Sequence, residues 1–334
     1  MITVLGFSLL AFAGLLAGFY MAWNIGANDT ANEMATSVAS GALTLRQAVA
    51  ISATFNALGA VFMGARVVST IGKGIVPQVE PIGALCAVIA ASVFVTLATW
   101  KNMPVSTSHS IVGAMLGYGL VGVGIAGINW FVMANVILAW VLSPLAGIAM
   151  GFFVFKFIRG LVLERIEDVS KAERGYTPLQ IMSASYEAFA TGSNDVANAI
   201  APVAVIMAGG FASELKVPIW LLAFGGIGIA VGTLMWGYKV METIGKRITG
   251  DITPTRGFAA EYSAATVVLV CSYLGMPVST THASVGTVTG VGFAGGLSAV
   301  NLRIVGRIIA YWLLTVPIAA LFAMALFKLY MVMI

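Results

Sequence analysis

The chain has 334 residues, of which 60% are hydrophobic and only 9% are charged, and its formal net charge is +4 at pH 7. Because soluble domains carry roughly 25% charged residues, this composition excludes a soluble globular protein and indicates an integral membrane protein. The small positive charge gives no argument for a nucleic-acid partner, so the lipid bilayer is the surrounding that the composition predicts.

Helices are the secondary structure that the apolar segments predict. Stretches without Asp, Glu, Lys or Arg occur at 1–28, 102–155, 262–302 and 308–327. Each is long enough for a membrane-spanning helix, which needs about 20 apolar residues, and the pattern lacks the alternation of barrel strands. We expect the first stretch to be a retained span, because it lacks the basic start of a signal peptide.

Three short motifs occur twice, once in each half of the chain. The first half reads GANDTAN at 26–32, TIGK at 70–73 and PVSTSH at 104–109. The second half reads GSNDVAN at 192–198, TIGK at 243–246 and PVSTTH at 277–282. Duplicated motifs within a very apolar chain are typical of a transporter built from internal repeats.

Each half is predicted to contain the same series of helical segments, limited by the apolar runs and the motifs. In chain order, the first half gives segments at about 2–25, 28–42, 46–66, 82–100, 104–126 and 129–155. The second half gives segments at about 179–192, 194–210, 217–240, 257–275, 277–298 and 304–333.

A charged segment separates the halves and divides the chain into three parts. We assign 1–155 to an N-terminal transmembrane repeat, 156–178 to a charged linker and 179–334 to a C-terminal transmembrane repeat. Nine charged residues lie within 156–174, and five of these nine are basic. The excess of basic residues places the linker on the cytoplasmic side of the membrane.

The expected fold is an all-α integral membrane protein, a polytopic helical bundle of two pseudo-symmetric repeats. Some motif segments are too short or too polar to cross a bilayer alone, so we expect broken or re-entrant helices at the motifs. If each half crosses the membrane an odd number of times, the halves are inverted. Inverted repeats usually place the substrate at the midplane between them.

The Asn-Asp motifs predict a cation site in each half. A carboxylate inside a membrane segment costs about 2.5–3.5 kcal/mol on insertion scales, so Asp29 and its counterpart Asp195 indicate function. Asn32 and Asn198 follow three residues later, hence on the same helix face as the carboxylates. Carboxylate and amide oxygens suit a hard cation such as Na⁺, and no Cys or His lies near them to favour a soft metal.

The Pro-Val-Ser-Thr motifs predict an anion site. Pro followed by Ser or Thr is typical of a helix start, where hydroxyls cap free N–H groups. Such a start presents unpaired donors and the positive end of the helix dipole, and two starts facing each other would surround a tetrahedral oxyanion. A cation site beside an anion site indicates a cation-coupled anion symporter. Because a protonated oxyanion could donate hydrogen bonds to the Asp carboxylates, phosphate is favoured over sulfate.

Both motif pairs resemble those of the PiT family of inorganic phosphate transporters. Residues 26–32 look like the signature of that family, 192–198 look like its degenerate second copy, and the Pro-Val-Ser-Thr-x-His blocks match as well. The resemblance covers nearly the whole chain and implies cation-driven phosphate uptake, coupled to Na⁺ or to H⁺ depending on the member. We therefore predict a Na⁺-coupled symporter that works by alternating access, not an enzyme, with no organic cofactor.

The resemblance also implies roles for individual residues. Those carried over to phosphate binding are Asn28, Asp29, Thr107, Ser108, Asn194, Asp195, Thr280 and Thr281. Those carried over to Na⁺ binding are Asp29, Asn32, Ser106, Asp195, Asn198 and Ser279. Two such oxygen clusters suggest two Na⁺ ions per phosphate.

Two further carboxylates have no acidic counterpart in the other half. Glu187 corresponds to Met21, and Glu33 corresponds to Ala199. We predict Glu187 to be an additional Na⁺ ligand or a gating residue, with pairing to a nearby Lys or Arg as the alternative.

Three alternative functions stay open on the sequence. A H⁺-coupled phosphate symporter would keep the anion site and use the Asp pair as a proton relay. An anion channel would need rings of charge or carbonyls instead of two local clusters. A membrane enzyme acting on a phosphorylated lipid could use the adjacent Ser/Thr and His residues, although neighbours on a helix point in different directions.

The expected location is the plasma membrane or a bacterial inner membrane. A homodimer is compatible with this location, although no motif shows one.

Overall fold

The computed structural model describes residues 3–4, 7–210, 217–241, 252–296 and 300–333. The second TIGK motif, at 243–246, lies outside these residues, so the structure does not compare it with the first. Two short strands, β1 (Thr3–Val4) and β2 (Phe7–Ser8), pair antiparallel at the start of the chain. The other regular elements of the described chain are helices, which confirms the expected all-α fold.

Within the described residues, eleven α-helices have defined bounds, and together they form the bundle. The first half contains α1 (Leu9–Ala39), α2 (Leu45–Met63), α3 (Ala65–Ser69), α4 (Pro81–Trp100), α5 (Thr107–Gly122) and α6 (Trp130–Leu161). A π-helical turn, Thr70–Gly74, continues α3. The second half contains α7 (Val169–Met207), α8 (Ile219–Trp236), α9 (Pro254–Tyr273), α10 (Thr280–Gly295) and α11 (Leu302–Met333).

Six of these helices are long and apolar enough to cross a membrane: α1, α2, α4, α6, α8 and α11. Helices α5 and α10 have 16 residues each. At a rise of 1.5 Å per residue they are about 24 Å long, which is shorter than the roughly 30 Å hydrocarbon core. The two helices that begin at the Pro-Val-Ser-Thr motifs are therefore too short to span a bilayer unaided.

The helices are interrupted at the Pro-Val-Ser-Thr motifs but not at the Asn-Asp motifs. Helices α1 and α7 pass through the Asn-Asp motifs without interruption, so the separate segments predicted on either side of each motif are single helices. The break falls at the Pro-Val-Ser-Thr motifs: α4 ends at Trp100 and α9 at Tyr273, and the chain then turns through the positive-φ residues Asn102 and Gly275 before each motif. The hydroxyls of Ser106 and Ser279 then cap the new helices, accepting from the N–H of His109 and His282 at 3.2 Å.

The two halves exchange packing partners. Helix α1 packs against α8 while α7 packs against α2, and α5 packs against α11 while α10 packs against α6. Glycine permits the first exchange: a Cβ atom on Gly26 would lie 1.9 Å from the carbonyl oxygen of Ile229, and one on Gly192 would lie 2.1 Å from that of Asn56. Such close backbone contact is typical of small residues in membrane helices. Each helix that carries an Asn-Asp motif is thus held by the other half.

The charged segment at 156–178 covers the end of α6 and the beginning of α7. Only residues 162–168 connect these two helices, and they include a short 3₁₀ turn at Leu163–Arg165. Within the described ranges the segment holds an exposed ion pair between Arg159 and Glu164 at 3.2 Å. An exposed pair of this kind contributes about 0–1 kcal/mol to stability.

Candidate functional site

The two motif aspartates lie at equivalent positions in the centre of the bundle. Asp29 on α1 is 1% exposed and Asp195 on α7 is fully buried. Each accepts a hydrogen bond from the first residue of a short helix of its own half. Thr107 Oγ1 donates to Asp29 Oδ2 at 2.7 Å, and Thr280 Oγ1 donates to Asp195 Oδ2 at 2.9 Å. The twofold relation of the sequence is therefore repeated in the contacts.

The motif asparagines connect the two halves. Asn32 Nδ2 donates to Asp29 Oδ1 at 3.1 Å and to Thr281 Oγ1 of the other half at 2.9 Å. In the same way, Asn198 Nδ2 donates to Asp195 Oδ1 at 3.2 Å and to Ser108 Oγ of the other half at 3.1 Å. Each amide thus joins a carboxylate of its own repeat to a hydroxyl of the opposite repeat. The eight side chains of this central cluster are Asp29, Asn32, Thr107, Ser108, Asp195, Asn198, Thr280 and Thr281.

The starts of α5 and α10 meet inside the central cluster. Ser108 Oγ donates to the carbonyl oxygen of Val278 at 2.8 Å, and Thr281 Oγ1 contacts that of Val105 at 3.3 Å. The first N–H groups of a helix have no acceptor within the helix, and the dipole makes this end positive. Two such ends, each with two hydroxyl residues, face one another where the carboxylates lie. This arrangement can bind an anion and a cation side by side.

Several amide oxygens around the cluster lack a donor. Oδ1 of Asn32, Asn194 and Asn198 is buried and has no hydrogen-bond partner among the residues that the structure describes. An unpaired buried acceptor costs about 1–3 kcal/mol. In Asn32 and Asn198 this oxygen belongs to the amide that also donates to the motif carboxylate. Each half of the central cluster therefore offers a free oxygen to a cation.

Asn28 and Asn194 face the chain breaks, away from the central carboxylates. Asn28 Nδ2 donates to Thr99 Oγ1 at 2.8 Å and to the carbonyl oxygen of Met103 at 3.1 Å. Asn194 Nδ2 donates to Ser272 Oγ at 2.9 Å and to the carbonyl oxygen of Met276 at 3.2 Å. Met103 and Met276 both directly precede a motif proline. These amides fix the segments that lead into α5 and α10. Their predicted direct contact with phosphate stays a prediction.

Glu187 on α7 accepts a hydrogen bond from a hydroxyl of α10, the helix that begins at the second Pro-Val-Ser-Thr motif. It lies two turns before Asp195 on α7, is 2% exposed, and accepts from Ser284 Oγ at 2.5 Å. The alternative of pairing with Lys or Arg has no support from the contacts described for this side chain.

Sequence reasoning missed one buried carboxylate altogether. Glu261 on α9 is 1% exposed and accepts hydrogen bonds from four side chains at 2.6–3.2 Å, namely Thr36, Ser37, Gln180 and Ser183. A Glu within the apolar segment predicted at 257–275 was the signal that could have found it. Five carboxyl side chains are buried within the described ranges, namely Asp29, Glu33, Glu187, Asp195 and Glu261. No Lys or Arg side chain described in the structure is buried.

The two motif histidines lie beside the cluster and touch each other. Their ring centroids are 4.5 Å apart, and each ring also contacts a tryptophan, His109 with Trp140 and His282 with Trp312. His282 Nδ1 lies 3.1 Å from the carbonyl oxygen of Trp140, and His109 Nδ1 lies 3.4 Å from that of Trp312. The histidines therefore hold the two short helices together across the pseudo-twofold axis.

Comparison with known proteins finds a matching family and related sequences. A family model described as the phosphate transporter family matches residues 25–176 and again residues 164–323. A candidate phosphate permease of Pyrococcus abyssi is 40% identical over 94% of this chain and 96% of its own length. The chloroplastic inorganic phosphate transporter 2-1 of Arabidopsis thaliana is 38% identical over 94% of this chain and 71% of its own length.

A solved structure shows the same likeness in three dimensions. The structure of a sodium-dependent phosphate transporter superposes with a TM-score of 0.93, at 38% sequence identity, and the match covers 98% of this chain and 100% of the other. The two successive matches of one family model agree with the duplication seen in the motifs and in the contacts.

Proposed function

The chain belongs to the phosphate transporter family, and on that premise we propose that it carries inorganic phosphate into the cell together with Na⁺ by alternating access. It is a multi-pass integral membrane protein and a transporter, as its family and relatives are, and not an enzyme. The observation that carries the proposal is the central cluster, in which two carboxylates and two opposed helix starts meet around one point between the repeats.

Phosphate fits between the starts of α5 and α10. The N–H groups of the first turns are the donors that a phosphate oxygen needs, and both dipoles point their positive ends at it. The hydroxyls of Thr107, Ser108, Thr280 and Thr281 add further donors when they turn away from their present acceptors. A protonated phosphate oxygen can in turn donate to the carboxylate of Asp29 or Asp195. Asn28 and Asn194 support this site by fixing the segments that lead into the helices.

Na⁺ fits at the two motif carboxylates. Each half of the central cluster offers carboxylate oxygens, an unpaired amide oxygen of Asn32 or Asn198, and hydroxyl oxygens. These are the ligands that a hard cation prefers. The N-cap serines, Ser106 and Ser279, lie next to these hydroxyls in the chain and complete the proposed ligand sets. The two equivalent halves of the central cluster support two Na⁺ per phosphate. Glu187 is a further candidate ligand.

Charge balance supports a coupling cation. The described hydrogen bonds to the five buried carboxylates come from hydroxyl and amide groups, which are neutral. Bringing a phosphate anion beside two carboxylates would place several negative charges together in a region of low dielectric. Two Na⁺ ions remove most of that repulsion, so the anion binds well only when the cations are present.

Burial of the cluster supports alternating access over an open channel. Its side chains are between 0% and 4% exposed, so a bound ion is closed off from both sides. The substrate can therefore leave only when packed elements separate, and the exchanged partners of the two repeats provide two equivalent ways to do so.

Phosphate uptake into proteoliposomes tests the proposal. We expect an inward Na⁺ gradient to drive uptake, and Asp29→Asn and Asp195→Asn to abolish it, because each change removes the negative charge of a proposed cation ligand. Glu80→Gln is the matched control, since this carboxylate is exposed and the change of side chain is comparable. Uptake driven by H⁺ alone would overturn Na⁺ coupling, and uptake indifferent to any cation gradient would favour a channel.

A further inference from the structure

The TIGK motif of the first half, at 70–73, contributes none of the eight side chains of the central cluster. Its residues form most of the π-helical turn Thr70–Gly74, which continues α3. Such turns are rare and occur frequently at functional sites. The turn and α3 both pack against α7, the helix that carries the second Asn-Asp motif. The motif of one half therefore lies against a site helix of the other half.

Two side chains of this region hold the segment that connects α9 with α10. Thr70 Oγ1 donates to the carbonyl oxygen of Gly275 at 2.7 Å. Arg66, on α3, donates from Nη1 to the carbonyl oxygen of Tyr273 at 2.9 Å, and its guanidinium lies 4.2 Å from the centre of the Tyr273 ring. Both donors belong to the first half and both acceptors to the second half, so these contacts join the two repeats.

The backbone turns at Gly275, close to α3. Its φ is +71°, in the left-handed region that favours glycine, and Asn102 at the equivalent position of the first half has a φ of +54°. A Cβ atom on Gly275 would lie 3.4 Å from the carbonyl oxygen of Arg66, so the two backbones are nearly in contact. The chain turns here on its way from α9 into the central cluster, and the Thr70 hydroxyl is bonded at that turn.

The same segment continues directly into the site. Its next carbonyl oxygens accept hydrogen bonds from side chains already described, Met276 from Asn194 at 3.2 Å and Val278 from Ser108 at 2.8 Å. Only four residues separate Gly275 from Thr280, the first residue of α10, which donates to Asp195. A displacement of the turn at Gly275 is therefore passed on to the start of α10.

We propose that Arg66 and Thr70 are positioning residues of the phosphate site, which set the place of the start of α10 through the carbonyl groups of Tyr273 and Gly275. They act through the segment that leads to the phosphate donors and not by contact with phosphate. The proposal rests on the function proposed above and gives the first TIGK motif a role in it. Loss of the Thr70 hydroxyl weakens phosphate binding although every side chain of the central cluster is still present.

Paired substitutions at Thr70 test the proposal by phosphate uptake into proteoliposomes under a saturating inward Na⁺ gradient. Thr70→Val removes the hydroxyl and nearly keeps the volume of the side chain. It should raise the phosphate concentration for half-maximal uptake by about threefold or more, the effect of one lost hydrogen bond, and change the maximal rate by less than about twofold. Thr70→Ser keeps the donor and should restore the half-maximal concentration of the wild type.

Thr266→Val is the matched control on α9, because the Thr266 hydroxyl donates to the carbonyl oxygen of Tyr262 within the same helix at 2.8 Å. It should leave the half-maximal concentration and the maximal rate unchanged. If Thr70→Val and Thr70→Ser behave alike, or if Thr70→Val lowers only the maximal rate, Thr70 merely stabilises the fold and the proposal is overturned.

Arg66 is exposed, so its charge must be separated from its contacts. Arg66→Gln should raise the half-maximal phosphate concentration at low and at high ionic strength, because the contact with Tyr273 is lost in both. Tyr273→Phe keeps the ring and the carbonyl group and should behave like the wild type. An effect of Arg66→Gln that disappears at high ionic strength would show that the arginine attracts phosphate by its charge, which salt screens, and would overturn its positioning role.

Hydrogen–deuterium exchange of the detergent-solubilised protein tests the contact without transport. The amides of residues 273–280 should exchange faster in Thr70→Val than in the wild type and Thr70→Ser, and equal exchange in all three would overturn the proposal. Absence of Na⁺-driven uptake in the wild type would refute the proposed function instead. Binding of radiolabelled phosphate to the solubilised protein would then compare the same variants, with weaker binding expected in Thr70→Val alone.

Discussion

Replacement of Thr107 by valine removes one hydroxyl from the central cluster and leaves its volume almost unchanged. The Thr107 hydroxyl donates to Asp29 at 2.7 Å and lies 3.4 Å from the amide nitrogen of Asn198, so it touches the polar groups of both repeats. A hydrogen bond to a charged group contributes about 1.5–3 kcal/mol. Since 1.4 kcal/mol is a factor of ten, we expect the Na⁺ concentration for half-maximal phosphate uptake to rise about 10- to 100-fold.

The assay is initial phosphate uptake into proteoliposomes as a function of Na⁺ concentration. Thr54→Val is the matched control, because Thr54 is exposed and its hydroxyl donates to a backbone carbonyl. Thr280→Val removes the equivalent bond to Asp195 and should produce a rise of similar size. A change of less than about twofold in Thr107→Val, with the protein folded, would refute the inference that the Thr107 hydroxyl holds Asp29 in place for the cation, since a lost bond of this strength gives far more.

Two further changes test the packing around the site. Gly192→Ala should lower the melting temperature of the detergent-solubilised protein, because the new Cβ would lie 2.1 Å from the carbonyl oxygen of Asn56 and overpacking costs about 1–3 kcal/mol. Gly175→Ala meets nothing within 4 Å and should raise the melting temperature slightly, so equal shifts in the two variants would contradict the close contact of α7 with α2. Ser106→Ala removes the cap that accepts from the N–H of His109 and should destabilise the fold by about 1 kcal/mol; an unchanged melting temperature would show that the cap is dispensable.

The sequence predicts the helical fold well because its signals are local and repeated. Apolar runs indicate where helices can form, and α5 and α10 begin at the Pro-Val-Ser-Thr motifs as their Pro-Ser-Thr pattern predicts. The predicted breaks at the Asn-Asp motifs were wrong for a physical reason. Polarity suggested unsatisfied groups, but α1 and α7 keep their backbone hydrogen bonds while the polar side chains find partners on neighbouring helices.

The partners of the site residues could not be predicted in the same way. Nothing in the local pattern says that Asn32 meets Thr281 or that Asn198 meets Ser108, because both contacts cross between repeats. The inward orientation of the motif residues follows from their spacing, whereas the choice of opposite partner depends on how the repeats interlock. The assigned phosphate and Na⁺ roles stay predictions until the uptake experiments are done.

The exchange of packing partners has a consequence for biosynthesis. Helix α5 packs against α4 of its own half, but its contact with α11 forms only when α11 has left the ribosome, and the contact of α1 with α8 must likewise wait. Until then Asp29 and Glu33 have their hydrogen-bond donors, which lie in the first half, but lack the packing of α7 and α8 against α1. We therefore expect the newly inserted first half to depend on the insertion machinery for protection, and two halves made as separate chains to assemble only when they are synthesised together.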